Sequence, residues 1–431
     1  MNLILKLLII LLYFNFANAE ANLKYYLNEA FKNNLKLNAE RKNYKSIKEN
    51  INISRSEFLP SISLSGDQSS TQSTNKTNQS GTNLKDSSLD TETKKISVDQ
   101  KVFQGFKGYN SFKKSELQVE QASFKLKQVE QQTVLDTIAS YFDLIFKIKN
   151  LEFNTSNVNL FERQVESDGA RSQKGEITLT DLAQSESSLA GATAKLIKAQ
   201  TELLASEINF ERITRKKAPN LLNNNEKIKI DLPKTLQDAL NIAKKNNSDL
   251  IISKIDYEIA TKELNIEKAR LSPSATLNYS KTENKDFSST VDELDEETVK
   301  ATITWPIIKG GENISSIKKS TLKKHRSLLL SEDTENRVIT DTTNAWSKYQ
   351  SSQSILLSTE AQLKASEIAN EGITLEYDSG NTRSTLEVIQ SRSLLLESRI
   401  ENAKAERDFM ISQAELAFQL GILSLNIINP L

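Results

Sequence analysis

The stretch Val299-Lys300-Ala301-Thr302-Ile303-Thr304-Trp305-Pro306-Ile307-Ile308-Lys309-Gly310 alternates apolar with polar residues, meets a proline and ends on glycine. Period-two alternation rich in β-branched and aromatic residues is the pattern of a strand with one apolar face. From Ile307 to Asn429 there is no further proline except the one that follows at Pro430, and the apolar spacing turns helical. A strand therefore passes through a tight glycine junction into a very long helix.

The same passage occurs earlier. Val102-Phe103, Gly105, Tyr141 and Gly175 recur as Ile307-Ile308, Gly310, Trp346 and Gly380, all 205 positions on. Upstream, Leu23, Leu27, Ala30, Asn33, Asn34, Leu37 and Pro60-Ser61 recur as Leu236, Leu240, Ala243, Asn246, Asn247, Leu250 and Pro273-Ser274 at an offset of 213. A constant offset that includes Pro, Gly and an Asn-Asn pair signals a tandem repeat. Each copy runs helix, Pro, strand pair, Gly, long helical hairpin. The expected organisation is a leader at 1–19, a first repeat at 20–215 with strands at about 58–103, and a linker at 216–235 holding Pro219, Asn223–Asn225 and Pro233. A second repeat follows at 236–421 with strands at about 273–308, then a tail at 422–431. The tracts Gly66–Lys95 and Glu283–Glu297 read as surface loops, the first rich in Ser, Thr, Asn and Gln and the second acidic.

Composition narrows the chemistry. The chain has 431 residues, 56 Lys+Arg against 56 Asp+Glu, one histidine and no cysteine. No thiol nucleophile, iron–sulfur cluster, zinc finger or disulfide framework is possible, and one histidine cannot build a multi-His metal site. A balanced charge does not suit a nucleic-acid binder. His325 sits in the basic run Lys318–Arg326 with no second ligand at metal spacing and reads as a solvated helix residue. Gly105-x-x-Gly108 and Gly310-Gly311 lack the Lys-Ser/Thr ending of a phosphate loop and read as strand-to-helix junctions. No enzyme, cofactor or metal is expected.

At the N-terminus, Lys6, the apolar run Leu7–Phe14 and Ala17-Asn18-Ala19 make an export signal, with the mature chain expected to begin near Glu20. Residues Leu117, Phe124, Ile138 and Ile145 share one heptad position, and Val134, Tyr141 and Ile148 its partner, the seams of a coiled coil. An unbroken helix from Gly105 to Gly175 would reach roughly 105 Å at 1.5 Å per residue. The strands carry Ser63, Ser97, Lys300, Thr302 and Thr304 opposite their apolar face. If they lie in a membrane, every edge must be paired. Four strands cannot close a barrel, for which about eight is the minimum, so several chains would share one.

On these features the chain resembles the TolC family of outer-membrane channel proteins, over essentially the whole mature length. The resemblance implies a mainly α fold with a small β part. Two tandem repeats would form the coiled-coil helices of an α-helical tunnel in the periplasm, and four strands per chain would enter a shared twelve-stranded barrel in the outer membrane of a homotrimer. It implies the exit duct of a tripartite efflux or type I secretion system in a Gram-negative bacterium. Its partners would be an inner-membrane transporter of the ABC or RND type, a periplasmic adaptor and outer-membrane lipid. Two other classes stay open on the residues alone: a periplasmic adaptor, which would carry one hairpin per chain, and a helical surface filament subunit.

The closest local likeness is Tyr377-Asp-Ser-Gly380-Asn-Thr-Arg383-Ser-Thr-Leu-Glu387-Val-Ile-Gln390, similar to the family's periplasmic gate segment, with Gly175-Glu-Ile-Thr-Leu-Thr180-Asp181 as its first-copy counterpart. The resemblance implies a gate of Thr180, Asp181, Tyr377, Arg383, Glu387 and Gln390. Asp181 would accept hydrogen bonds from Arg383 and Tyr377, partly between protomers. Glu387 would match the upper of two acidic rings, whereas Gln390 stands where the lower ring has an acid. One extra residue separates Gly380 from Glu387. Without cysteine the chain cannot carry the N-terminal lipid of some relatives. The plain reading of Arg383 and Glu387 is an i,i+4 surface pair.

Overall fold

The computed structural model describes residues 22–219, 228–288, 290–379, 383–426 and 429–430. The leader at 1–19, the Asn223–Asn225 run and Gly380 lie outside them. In chain order the elements are α1 (Leu23–Asn33), α2 (Leu35–Ser56), β1 (Ser61–Ser73), β2 (Ser87–Gln104), α3 (Lys107–Gln173) and α4 (Leu179–Thr214). After β3 (Ile228–Lys229) come α5 (Leu236–Asn246), α6 (Ser248–Ala269), β4 (Ser274–Ser288), β5 (Val291–Thr304), α7 (Glu312–Asp378), α8 (Thr385–Gln419) and β6 (Asn429–Pro430). The long helices α3 and α7 have the same length, 67 residues each. The chain divides into two compact units.

Among its described residues, the unit made of Met1–Arg41, Lys125–Ile251 and Thr334–Leu431 is built of helices apart from loops and the short β3–β6 pair. Its largest core holds Leu23, Tyr26 and Leu27 of α1 against Ile138, Tyr141 and Ile145 of α3, Phe210 of α4 and Ala414 and Ala417 of α8. The Tyr26 ring meets Phe210 edge-on at 4.8 Å and lies 6.1 Å from Tyr141. Each such pair adds about 0.5–1.5 kcal/mol to the burial of apolar area. Burial pushes the Tyr26 hydroxyl up to about 12.

The returning helices pack through small residues. On α4, Ser185, Ala192, Ala199 and Ser206 are buried at seven-residue spacing, and on α8 Ser391, Ser398, Ala405 and Ser412 do the same. A seven-residue repeat keeps one seam facing the neighbouring helix, and small side chains there allow close approach. The buried hydroxyls are bonded across the seam: Ser206 Oγ to Asp143 Oδ2 at 3.0 Å, Ser412 to Ser352 at 2.7 Å and Ser398 to Ser366 at 2.9 Å.

The repeated Asn-Asn pairs have a defined task. Asn34 and Asn247 break the helices with extended backbone, and each caps the next helix, Asn34 Oδ1 accepting from Leu37 N and Asn247 Oδ1 from Leu250 N. Their amides donate to the ends of the long hairpins, Asn34 to Ile213 O at 3.1 Å and Asn247 to Gln419 O at 2.9 Å. One side chain thus satisfies an orphan donor and an orphan acceptor at two helix ends.

The second unit, Lys42–Phe124 and Ile252–Asp333, carries one antiparallel sheet in the order β1-β2-β4-β5. Register places Ile62, Val98, Tyr279 and Val299 in one row across all four strands, and Ser63, Ser97, Ser280 and Thr298 in the next row on the opposite face. The apolar face is uncovered within the chain: Ile62 is 74%, Leu64 77%, Val299 71% and Ile303 77% exposed. Past that band the same face turns charged, with Lys281 paired to Glu297 and Lys94 to Glu283 in the register.

The strands run much further than the alternating apolar residues suggest. The tract Gly66–Lys95 is not one loop: β1 continues to Ser73 and β2 begins at Ser87. The acidic tract Glu283–Glu297 is a hairpin, β4 to Ser288 and β5 from Val291. Ladder hydrogen bonds, threonines and facing pairs such as Glu92 with Lys285 hold polar sequence in strands. At the start of α3, Gly105 takes φ +59, and a side chain there would come within 2.4 Å of Ser272 Cβ and 2.8 Å of Ala269 O. That junction accepts only glycine.

Candidate functional site

The ends of the two long hairpins lie in the helical unit. α3 stops at Gly175, where φ +75 allows Glu176 N to reach back to Arg171 O at 2.9 Å. α4 opens on a capping box: Thr178 Oγ1 accepts from Asp181 N, and Asp181 Oδ2 accepts from Thr178 N at 3.0 Å and Thr178 Oγ1 at 2.7 Å. α8 opens the same way, Ser384 with Glu387, whose Oε2 accepts from Ser384 N at 2.8 Å. Asp181 and Glu387 thus occupy equivalent positions, the third residue of a helix, where a carboxylate also suits the helix dipole.

These caps shift both acids. The Thr178 hydroxyl, then its backbone N–H, holds Asp181 below its ordinary value. The Ser384 backbone N–H, then Arg383, holds Glu387 down. Arg383 is raised in turn by Glu376 and Glu387; its Nε lies 2.6 Å from Glu376 Oε2 and its Nη1 2.9 Å from Glu387 Oε1. The i,i+4 pair is therefore present and belongs to a three-residue fork. Thr180 is exposed on the first turn of α4 and Gln390 on the second turn of α8.

Within one chain Asp181 is not joined to Arg383 or Tyr377. Tyr377 instead donates to Asp168 Oδ1 at 3.1 Å, accepts from Arg171 and lies 3.2 Å from Thr385 Oγ1. Asp168 is fully buried, at 0% exposure. It takes Gln164 Nε2 on both oxygens at 2.9 and 3.0 Å and the Ser185 hydroxyl at 2.5 Å. Gln164 Oε1 accepts from Arg392 Nη1 at 2.9 Å, and burial lowers the Arg392 pKa. Sequence reasoning missed this cluster. Its trace is a heptad: Asn154, Phe161 and Asp168 share one buried position of α3, so a carboxylate stands where the seam asks for an apolar residue. The capping boxes were missed too; their signal is the spacing Thr178-x-x-Asp181 and Ser384-x-x-Glu387.

Among the described residues no group of three or more His, Cys, Asp or Glu could hold a metal ion. No described helix is long and apolar enough to cross a membrane. The model of the outer membrane efflux protein family matches residues 26–214 and 239–422.

The chain belongs to the outer membrane efflux protein family.

The two matched segments follow the two copies read from the sequence offset. Over 395 residues the chain is 23% identical to the outer membrane efflux protein BepC of Brucella suis, covering 91% of this chain and 84% of that protein. It is 21% identical to the outer membrane protein TolC of Escherichia coli over 392 residues, 87% of this chain and 77% of that one. The fold matches the Campylobacter jejuni CmeC outer membrane channel with a TM-score of 0.82, at 14% identity over 94% of this chain and 86% of that one. The TolC-family resemblance is thereby established, and the adaptor and filament readings give way to a family of channels rather than enzymes.

Proposed function

We propose that this chain is one protomer of a trimeric exit duct, embedded in the outer membrane by its strands and continued into the periplasm by its helices. The observation that carries the reading is the open sheet. Both edge strands, β1 and β5, have one unpaired side, and the sheet's apolar face is bare. A sheet of this kind cannot rest in lipid as a single chain, because each unpaired backbone group costs several kcal/mol there. Three copies supply twelve strands, an even number within the range of closed outer-membrane barrels. β5, Val291–Thr304, has 14 residues, more than the ~9–11 a tilted strand needs to cross. Exposed apolar residues along the helices, Ile197, Leu204 and Ile208 of α4 and Leu357, Ile368 and Leu375 of α7, offer further surface to neighbouring copies.

Conduction through such a duct is passive, with energy and substrate choice supplied by an inner-membrane transporter and its periplasmic adaptor. The tip, with Thr180, Asp181, Tyr377, Arg383, Glu387 and Gln390, is the resting constriction. Arg383 and Asp181 are half-exposed or exposed ends of charge-assisted networks, and such bonds exchange readily when a partner presents better ones. In the trimer Arg383 of one protomer would trade its own-chain acids for Asp181 of a neighbour. Replacing Asp181 with Ala and Arg383 with Ser together is expected to raise single-channel conductance in a planar lipid bilayer. Conductance equal to that of the unaltered protein would remove the gate from this reading.

A further inference from the structure

Two helices of the second unit carry positive charge that the chain leaves uncompensated. From Glu312 to Ser331, α7 has Lys318, Lys319, Lys323, Lys324 and Arg326, and its only acid is Glu312. Lys324 sits over the Tyr257 ring at 5.4 Å, on the side where Ser331 meets Ser253 of α6. Lys318, Lys319, Lys323 and Arg326 are exposed along one open groove of α7 and make no ion pair among the described residues. Lys319 and Lys323 stand four residues apart on the helix, where like charges repel. The end of α2 repeats the feature. Between Lys42 and Ser56, Lys42, Lys45 and Lys48 are exposed with Glu49 the only acid, and Arg55 covers the Phe112 ring of α3.

Topology brings these two surfaces together between copies. In the sheet order β1-β2-β4-β5, α2 leads into edge strand β1 and α7 follows edge strand β5. A barrel shared by several chains closes by pairing β5 of one with β1 of the next, which sets α7 of one chain beside α2 of its neighbour. Distances along the two helices then match. At 1.5 Å per residue Lys318 lies roughly 9 Å past the start of α7, and Glu49 roughly 10 Å before the end of α2, an opposite pair. Lys323 and Lys45 both lie at roughly 16 Å, and Arg326 and Lys42 both at roughly 21 Å, two like pairs about one and a half turns apart.

We infer that Lys323 and Arg326, with Lys42 and Lys45 of the partner subunit, form an oxyanion site at each seam between copies, one that takes a soluble polyvalent anion of the phosphate class. The inference rests on the shared barrel proposed above and concerns a part of the molecule remote in sequence from the tip segment. Four cations on two levels repel across an empty seam. Arg326 offers a planar fork and the lysines point charges, and together they can hold a phosphate by charge-assisted hydrogen bonds. A bound polyanion converts the repulsion into a bridge between copies. A membrane lipid fits less well, because the polar layer beyond the hydrocarbon core is only about 5–7 Å deep and these levels lie further from the strands.

The test uses the full-length particle extracted from outer membranes in mild detergent. It is titrated calorimetrically with sodium pyrophosphate at constant chloride, and its dissociation into single chains is timed. One pyrophosphate should bind per chain, and saturation should slow dissociation at least about tenfold. Lys323→Gln with Arg326→Gln, and separately Lys42→Gln with Lys45→Gln, should each weaken binding at least about tenfold, since each removes charge-assisted hydrogen bonds. The two pairs flank opposite edges of one chain's sheet, so loss through either pair puts the ligand between copies. Without pyrophosphate both variants should dissociate no faster than the unaltered protein, because they relieve repulsion; faster dissociation would mark a purely structural role and overturn the site. Arg337→Gln, the same charge change about three turns further along α7, should leave the affinity within about twofold. A trimer that binds no pyrophosphate beyond chloride, or binds it unchanged in either double variant, overturns the site and leaves the duct standing. Saturable binding of short-chain phosphatidylglycerol with none of pyrophosphate gives the cations to lipid and overturns a soluble ligand. A particle of one chain removes the duct and the seam together. Should one double variant fail to assemble, the other decides.

Discussion

At the residue scale the tip is a set of polar side chains whose partners depend on which helices meet. Asp181 and Glu387 are first of all helix caps. Their carboxyls are held below their ordinary values of 3.8 and 4.5 by cap hydrogen bonds. A depressed carboxyl contributes stability that is present above the ordinary value and lost only as pH falls through the lower, folded one. The protection of the first-turn amides of α4 and α8 against hydrogen exchange should therefore hold level from neutral pH down to the ordinary carboxylate range and fail only below it. Thr178→Ala should speed exchange in the first turn of α4 about fivefold at neutral pH, the worth of one N-cap, and leave α8 unchanged. The caps carry a local signal that the sequence reading passed over, a Ser/Thr three residues before an acid. The Asp168–Tyr377 bond carries none, because these residues lie 209 positions apart and only the packing of four helices brings them together. Resemblance pointed Tyr377 at Asp181, and within the chain it bonds Asp168 instead.

At the element scale, the order of strands and helices in each copy was readable from where the apolar period changes and where Pro and Gly fall. Strand length was not. Ser, Thr and alternating charge look like loop by composition, yet β2 and β5 carry them through the ladder, helped by opposite charges that face across strands at Glu92 with Lys285, Lys94 with Glu283, Lys281 with Glu297 and Lys285 with Glu293. The Asn-Asn pairs were visible as a repeat and acquire a cause in the structure, since Asn34 and Asn247 each serve two helix ends. Asn247 is buried, and its loss removes the hydrogen bonds it makes to Gln419 O and from Leu250 N. Asn247→Ala should cost about 1–3 kcal/mol in a urea titration of the detergent-solubilised protein, the worth of two hydrogen bonds at a buried site. Asn34→Ala, at a half-buried site, should cost nearer 1 kcal/mol, the usual value of a cap.

For the whole molecule, composition and patterning converge. No cysteine, a single histidine and seams of Ser and Ala suit thin walls of packed helices that perform no covalent chemistry. The sequence also contained the argument for assembly: four strands with one apolar face cannot close on themselves. What it lacked was the uniformity of that face, a full row of Ile62, Val98, Tyr279 and Val299 with serines and a threonine behind it, which depends on register across strands nearly 240 positions apart. The bare face and the two open edges make the number of chains in the membrane-extracted particle the decisive quantity. Native mass spectrometry of the protein extracted from outer membranes in mild detergent should give one species of three chains; a single chain, or a water-soluble monomer left behind after membranes are sedimented, would contradict a shared barrel.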